Sequence, residues 1–356
     1  MAIVKGKEWA LVTVASALFA AGASAHEQTF SPESHAPAGV MADHTHAKGE
    51  IMTGYRYTYT SFNGVYQGSN EVGANELAAA GYSMMATAMS MEMTMLDIMY
   101  APTDRLTLML MPMYMTMSMD MDMTASDMTH DTMDMHSSMD MHMDHGHTGH
   151  MSHEVDGIGD TNLSALYKLV AKEHHTLIGT LGVNAPTGKS DLKNADGSFV
   201  HYGMQLGSGT WDATPSITYT GASDALSWGV QASALIRLED ANDSGYALGD
   251  KYAATAWGAV RVVDWMSLSA RVNWSDQDSI SGHYNGAHNH SSPADIQANY
   301  GGEFLDAALG VNTVVTGGNF AGLRFGLEWL TRVQEDYNGY QLGLDDSISA
   351  NITYAF

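Results

Sequence analysis

The residues best able to do chemistry crowd into one stretch of the chain. Of its 27 methionines, 22 lie between Met84 and Met151, and 7 of its 17 histidines lie between His130 and His153. Every second residue from Met109 to Met123 is methionine. The run goes on through Met128, Met133, Met135, Met139, Met141, Met143 and Met151, joined by His130, His136, His142, His145, His147, His150 and His153, with aspartates interleaved. Thioether sulfur is a soft ligand that favours Cu(I), imidazole accepts Cu(II), Zn(II) or Ni(II), and carboxylates attract cations of any kind. Copper suits all three. Those residues, with Met121 and Met123, are therefore the candidate metal ligands, and a copper ion is the expected bound group, with no organic cofactor. A ligand-free low-complexity loop would share the composition.

Composition narrows the partners. Asp plus Glu number 40 against 15 Lys plus Arg, a formal net charge of -25, which argues against nucleic acid and for metal cations. There is no cysteine, so disulfides, thiolate metal sites and Cys nucleophiles are excluded. Nothing in the sequence sets an oligomeric state.

Residues 1–25 read as a secretory signal: Lys5 and Lys7, an apolar stretch from Trp9 to Ala21, and the small-x-small pattern Ala23-Ser24-Ala25. Residues 26–48 read as a flexible segment carrying His26, His35, His44 and His46, which could chelate copper with the amine that cleavage would expose. From 49 to 356 the dominant period is two, the spacing that sends alternate side chains to opposite faces of a strand. In the last segment Ile348, Ala350, Ile352, Tyr354 and Phe356 alternate with Ser347, Ser349, Asn351 and Thr353. The same pattern recurs in Leu163, Ala165, Tyr167 and Leu169, and in Leu323, Phe325, Leu327 and Trp329.

About twelve such segments of the length a tilted barrel strand needs can be counted. Their connections alternate in length: short near 101–104, 171–175, 221–224, 263–265 and 317–321, long near 63–80, 120–156, 189–204, 239–249, 275–303 and 334–345. The expectation is an all-β fold, a transmembrane antiparallel β-barrel in outer-membrane lipid, with short periplasmic turns and long extracellular loops, of which 120–156 carries the Met, His and Asp residues. A secreted β-sandwich or lipocalin-like barrel would also alternate.

Which solvent the methionines face can be argued from parity. Glu92 shares a face with Ser90 and Thr94, and a carboxylate facing lipid is costly, so Met89, Met91, Met93 and Met95 are expected to face lipid. In the next strand Leu106, Leu108, Leu110 and Tyr114 suit lipid. Met109, Met111, Met113, Met115 and Met117 are then free to line the lumen as a ladder for Cu(I). His283, His288 and His290 lie in a loop on the same predicted surface as the Met/His loop, and His174 and His175 in a periplasmic turn.

Several stretches resemble the outer-membrane transporter family named for the meta-pathway of phenol degradation: 100–108 running to Pro112, then Gly157-Ile158-Gly159-Asp160-Thr161, Ala185-Pro186-Thr187-Gly188-Lys189, and Gly207-Ser208-Gly209-Thr210-Trp211-Asp212. The resemblance implies a single-chain barrel in the bacterial outer membrane moving small, often aromatic, molecules. The long insertion after Pro112 departs from the family and is similar in composition to the Met-Asp-His repeats of bacterial copper-resistance proteins. The leading expectation is thus a channel or transporter with a surface loop that binds copper or a related soft cation, in uptake, efflux or resistance. The alternative is a passive channel for small hydrophobic or aromatic compounds in which the loop is incidental. A lipid hydrolase using Ser83 or Ser164 with His201 is a third class, with no local motif joining nucleophile to base. Pro186-Thr187-Gly188-Lys189-Ser190 mimics the end of a phosphate-binding loop, but Val183 stands where its first glycine belongs.

Overall fold

The computed structural model describes residues 31–124 and 151–356. Strands β1 (Ile51–Gly68), β2 (Asn70–Val72), β3 (Met84–Tyr100), β4 (Leu106–Met111), β5 (Met113–Met123), β6 (Met151–Ile158), β7 (Thr161–Lys172) and β8 (His175–Ala185) make the first half. The second half comprises β9 (Asp212–Ala213), β10 (Ser216–Ala222), β11 (Leu226–Arg237), β12 (Tyr246–Ala247), β13 (Lys251–Val263), β14 (Met266–Gln277), β15 (Ser281–Gly282), β16 (Gly302–Val314) and β17 (Arg324–Ala355). All the pairings between them are antiparallel, and β1 closes the sheet on β3. A closed sheet leaves no unpaired edge, which is what hydrocarbon requires of a spanning structure.

The wall has about twelve chain passes, as the periodicity predicts. Pro112, which lacks an amide donor, interrupts the ladder between β4 and β5, so these two form one kinked pass; β6 and β7 form another. Conversely, β17 goes up beside β16 through its first half and returns beside β1 through its second. The segment 334–345, expected as a long loop, therefore belongs to this continuous hairpin. Its alternating residues extend the ladder on both sides, from Gly302↔Tyr337 to Phe62↔Leu344.

Outward positions are apolar and exposed. Leu96, Ile98, Leu108, Leu110, Leu163, Val272 and Leu309 all present their side chains to the surroundings. Above this belt, aromatic donors meet acids on the outer surface: Tyr57 donates to Glu92 at 3.0 Å, Trp274 to Glu303 at 2.7 Å and Trp329 to Asp346 at 2.8 Å. Tyr and Trp with one wet end are characteristic of the membrane interface. The long connections fold back over one mouth, where Phe199, Tyr202, Tyr246, Ile280 and Tyr284 form a buried cluster with Tyr300 packed against it. Tyr284 stacks between Phe199 and Tyr202, with ring centroids 4.2 Å away on each side.

The glycine-rich pieces that carry the family resemblance meet under this cap. The Asp160 carboxylate accepts from the Gly188 amide at 3.0 Å and from the Ser208 amide at 2.8 Å. A side chain on Gly188 would run into the backbone at Leu206 and Gly207. These motifs thus pin the start of the loop after β8 to its return, and 186–190 is a strand exit bound to Asp160.

Candidate functional site

The lumen has two unlike sides. Along β11, β13, β14, β16 and β17 it is polar and ion-paired: Arg271 Nη2 lies 2.6 Å from Glu328 Oε1, Arg332 Nε lies 2.6 Å from Asp306 Oδ1, and Arg237 pairs with Asp212. Along β3, β4 and β5 it is methionine. Met109, Met115, Met117, Met119 and Met121 are buried, and Met113 packs against the cluster that the last four form, while Leu108, Leu110 and Tyr114 on the alternate positions are exposed. Met111 lines a cavity lower in the lumen.

The parity assigned to β3 is corrected. Met95 and Met99 are buried, and Met89, Met91 and Met93 pack against the inner cluster; none of these faces lipid. Two acids sit on this strand at opposite parity, so one had to point outward. Asp97 points in and pairs with Arg56 at 3.5 Å, whereas Glu92 sits outward at the edge of the apolar belt, where the Tyr57 hydroxyl donates to it. The consequence is a ladder of facing thioethers: Met89↔Met119, Met91↔Met117, Met93↔Met115, Met95↔Met113 and, lower down, Met99↔Met109.

At the looped end the ladder meets histidine. Met119 is the register partner of His153 and Met121 that of Met151. His201, buried in the loop after β8, places Nε2 3.1 Å from Met121 Sδ and Nδ1 2.7 Å from Asp295 Oδ1. The His153 ring lies 5.8 Å from the His201 ring. One ring nitrogen of His201 meets the Asp295 carboxylate and the other the Met121 thioether, neither of which carries a proton-donating group when the acid is ionised. Both ring nitrogens of His201 are thus engaged without serine, so the triad that a hydrolase needs is not assembled there. Met123 lies exposed at the end of its strand. Met128, His130, Met133, Met135, His136, Met139, Met141, His142, Met143, His145, His147 and His150 lie outside the described residues. His283 and His288 face their own loop carbonyls at 3.0 and 2.8 Å, and the His288 and His290 rings are 4.5 Å apart. His175, the first residue of β8, bonds Tyr219 at 2.7 Å.

At the other end, residues from Ser31 onward thread through the lumen. Glu33 pairs with Arg261, the side chain of Asn312 donates to the carbonyls of His35 and Ala36 at 3.2 Å, Arg56 donates to that of Ala38, and Gln231 to that of Met41 at 2.9 Å. His35 and His44 bring their rings to 4.1 Å, His44 and His46 to 5.0 Å, and Asp43 Oδ1 lies 2.8 Å from His44 Nδ1. Burial and the neighbouring His44 hold His35 well below the usual imidazole range, and the same two causes bring His46 down to about 3. Burial alone would raise Asp43, but His44 and His35 outweigh it and hold the carboxyl far below its usual range. Sequence reasoning placed His35, His44 and His46 on one segment; the contact of that segment with the barrel wall carries no sequence signal. His201 and Asp295 are also brought to the site only by folding.

A family model described as "Putative MetA-pathway of phenol degradation" matches residues 117–329. Among solved structures, an outer membrane channel from Pseudomonas putida F1 shares 14% identity, covering 89% of this chain and 99% of its own, with a TM-score of 0.56. A Pseudomonas aeruginosa FadL homologue (13% identity, 86% and 90% covered, TM-score 0.42) and the P. putida toluene transporter TodX (10%, 87% and 90%, 0.41) also match. The first of these shares the outer-membrane barrel fold; the scores of the other two are too low to carry an argument. No curated protein matches.

Proposed function

Because the chain belongs to the MetA-pathway phenol-degradation family and folds as an outer-membrane channel rather than an enzyme, we propose that it passes small apolar or aromatic molecules along the methionine side of its lumen. The observation that supports this is the set of facing thioether pairs on β3, β4 and β5. Such a surface is apolar and adaptable, and each sulfur–aromatic contact contributes about 0.3–1.5 kcal/mol. A solute moving from rung to rung exchanges one such contact for the next and meets no deep well. Proteoliposome uptake tests the reading, using an aromatic acid too polar to cross lipid unaided and a sugar of similar size. Faster uptake of the aromatic acid is expected, with the preference lost when Met91 and Met93 become serine. Equal rates for the two solutes in the unaltered protein would remove it.

A second reading is favoured by the Met121, His153 and His201 cluster. A thioether sulfur and an imidazole nitrogen facing one another at 3.1 Å are a ligand pair that a soft cation can use. Copper taken up by the Met/His stretch 125–150 would be passed to this cluster at the head of the ladder. Deleting 125–150 separates the readings: lost copper equivalents with altered copper sensitivity support the second, while an unchanged copper response and unimpaired aromatic uptake support the first alone.

A further inference from the structure

We infer that His35, Asp43 and His44 form a transition-metal site at the base of the lumen, with copper the best-suited ion, and that a bound ion ties the threaded segment to the methionine wall. The site is separate from the loop and from the cluster at the opposite mouth, and does not depend on what the channel carries.

Three observations carry it. One ligand atom from each of His35, Asp43 and His44 can be chosen so that all lie within 4.8 Å of one another, and they are half-buried. The nitrogens are also prepared for an ion. Asp43 occupies His44 Nδ1 at 2.8 Å and is itself fixed by the Ala36 amide at 2.9 Å. His44 Nε2 is buried with no hydrogen-bond partner among the described residues, and so is His46 Nε2. A carboxylate on one imidazole nitrogen and an open lone pair on the other is the way proteins orient a metal-binding histidine.

Thirdly, the remaining wall selects the metal. These residues border a cavity of about 40 Å³ whose other sides include Met52, Met99 and Met109. That volume exceeds the roughly 10–15 Å³ needed for one water. Imidazole and carboxylate with nearby thioether suit copper in either oxidation state, and do not suit calcium or magnesium. The cationic side chains on the same cavity are already engaged: Arg56 pairs with Asp97, and Arg324 donates to the Ser31 carbonyl and the Ser34 hydroxyl, both at 3.0 Å. Since the nitrogen ligands belong to the threaded segment and the sulfurs to β1, β3 and β4, an ion held by both fastens the segment in place.

The test is a copper titration of the full-length, detergent-purified barrel against the His35→Ala/His44→Ala variant, each shown to be folded by heat-modifiable gel mobility. The loop and the outer cluster are intact in both. The expected result is one fewer bound copper per chain in the variant, and an anomalous peak at the copper absorption edge between His35 and His44 in copper-soaked crystals of the unaltered protein. Equal stoichiometry in the two proteins, or anomalous peaks confined to the opposite mouth, overturns the inference. Because the crystal experiment uses the unaltered chain, it decides the matter even if the double variant does not fold.

Discussion

Met121 Sδ and His201 Nε2 stand 3.1 Å apart across 80 residues of chain. One belongs to the ladder and the other to a loop that has folded back into the mouth, so this contact joins cap to wall. Its two partners should respond differently to substitution. Met121→Leu conserves volume and is expected to cost less than about 1.5 kcal/mol. His201→Leu leaves Asp295 buried without the imidazole and is expected to cost about 1–3 kcal/mol. If a soft cation bridges the pair, both variants lose copper affinity despite these unequal costs. Equilibrium unfolding in detergent and copper titration together check this: copper binding that simply follows stability would mean the pair is structural.

The two acids of β3 make a second pair. Asp97→Leu strands Arg56 in the lumen, and breaking a buried ion pair from one side costs about 3–5 kcal/mol. Glu92→Leu removes one bond from Tyr57 at the outer surface and should stay within about 0.5 kcal/mol. Urea midpoints for the two variants check the ranking; a larger loss for Glu92→Leu would mean that the inward face of β3 has been misassigned.

This pair also marks how far the sequence could be read. Period-two alternation and unequal connections were enough to reach a barrel of about twelve passes, because lipid and lumen impose one rule on every strand. On β4 and β5 the exposed residues Leu108, Leu110 and Tyr114 share one parity, and nothing polar competes with them there. On β3 the rule met two acids at opposite parity, and only height in the membrane decides between them, which the linear sequence does not encode. The pieces around Asp160, Gly188 and Ser208 were legible as motifs because a backbone pinned to backbone tolerates few residues. The contacts of the threaded segment were not legible. Ser227 donates to the Glu33 carbonyl and Gln231 to that of Met41, across 194 and 190 residues, and carbonyl acceptors leave no trace in residue type.

The aromatic cap should be sensitive to alkali. Burial raises the hydroxyls of Tyr202, Tyr246, Tyr284 and Tyr300 above the ordinary tyrosine value. An acid whose folded pKa is raised contributes stability that is complete below the unfolded value, about 10, and is lost as pH rises through the folded value. The cap is therefore expected to loosen above about pH 10 while the strand ladders persist. Phenolate absorbance should show a late-titrating group of tyrosines, released together with increased proteolysis of the loops. A single transition at the ordinary value for all tyrosines would contradict it.

Gly39 offers a way to move the threaded segment without touching the wall. A Cβ there would overlap both the Glu328 carboxylate and the Arg271 guanidinium, which are joined by two hydrogen bonds of 2.6 and 3.1 Å. Gly39→Val therefore forces a choice. Splitting the buried ion pair costs about 3–5 kcal/mol. Releasing the nearest segment bonds, Arg56 to the Ala38 carbonyl and Gln231 to the Met41 carbonyl, costs about 1 kcal/mol each. The segment around 38–41 is the weaker party and should withdraw from the wall there, while Glu33 on Arg261 and Asn312 on the carbonyls of His35 and Ala36 still hold its start. Planar-bilayer conductance of Gly39→Val is then expected to rise toward that of a chain lacking 31–50. Replacing Arg271 and Glu328 by alanine in the Gly39→Val background reopens the space and should lower conductance again, the coupling expected of groups in contact. If the deletion and Gly39→Val both conduct as the unaltered protein does, ions already pass beside the segment and it is no plug.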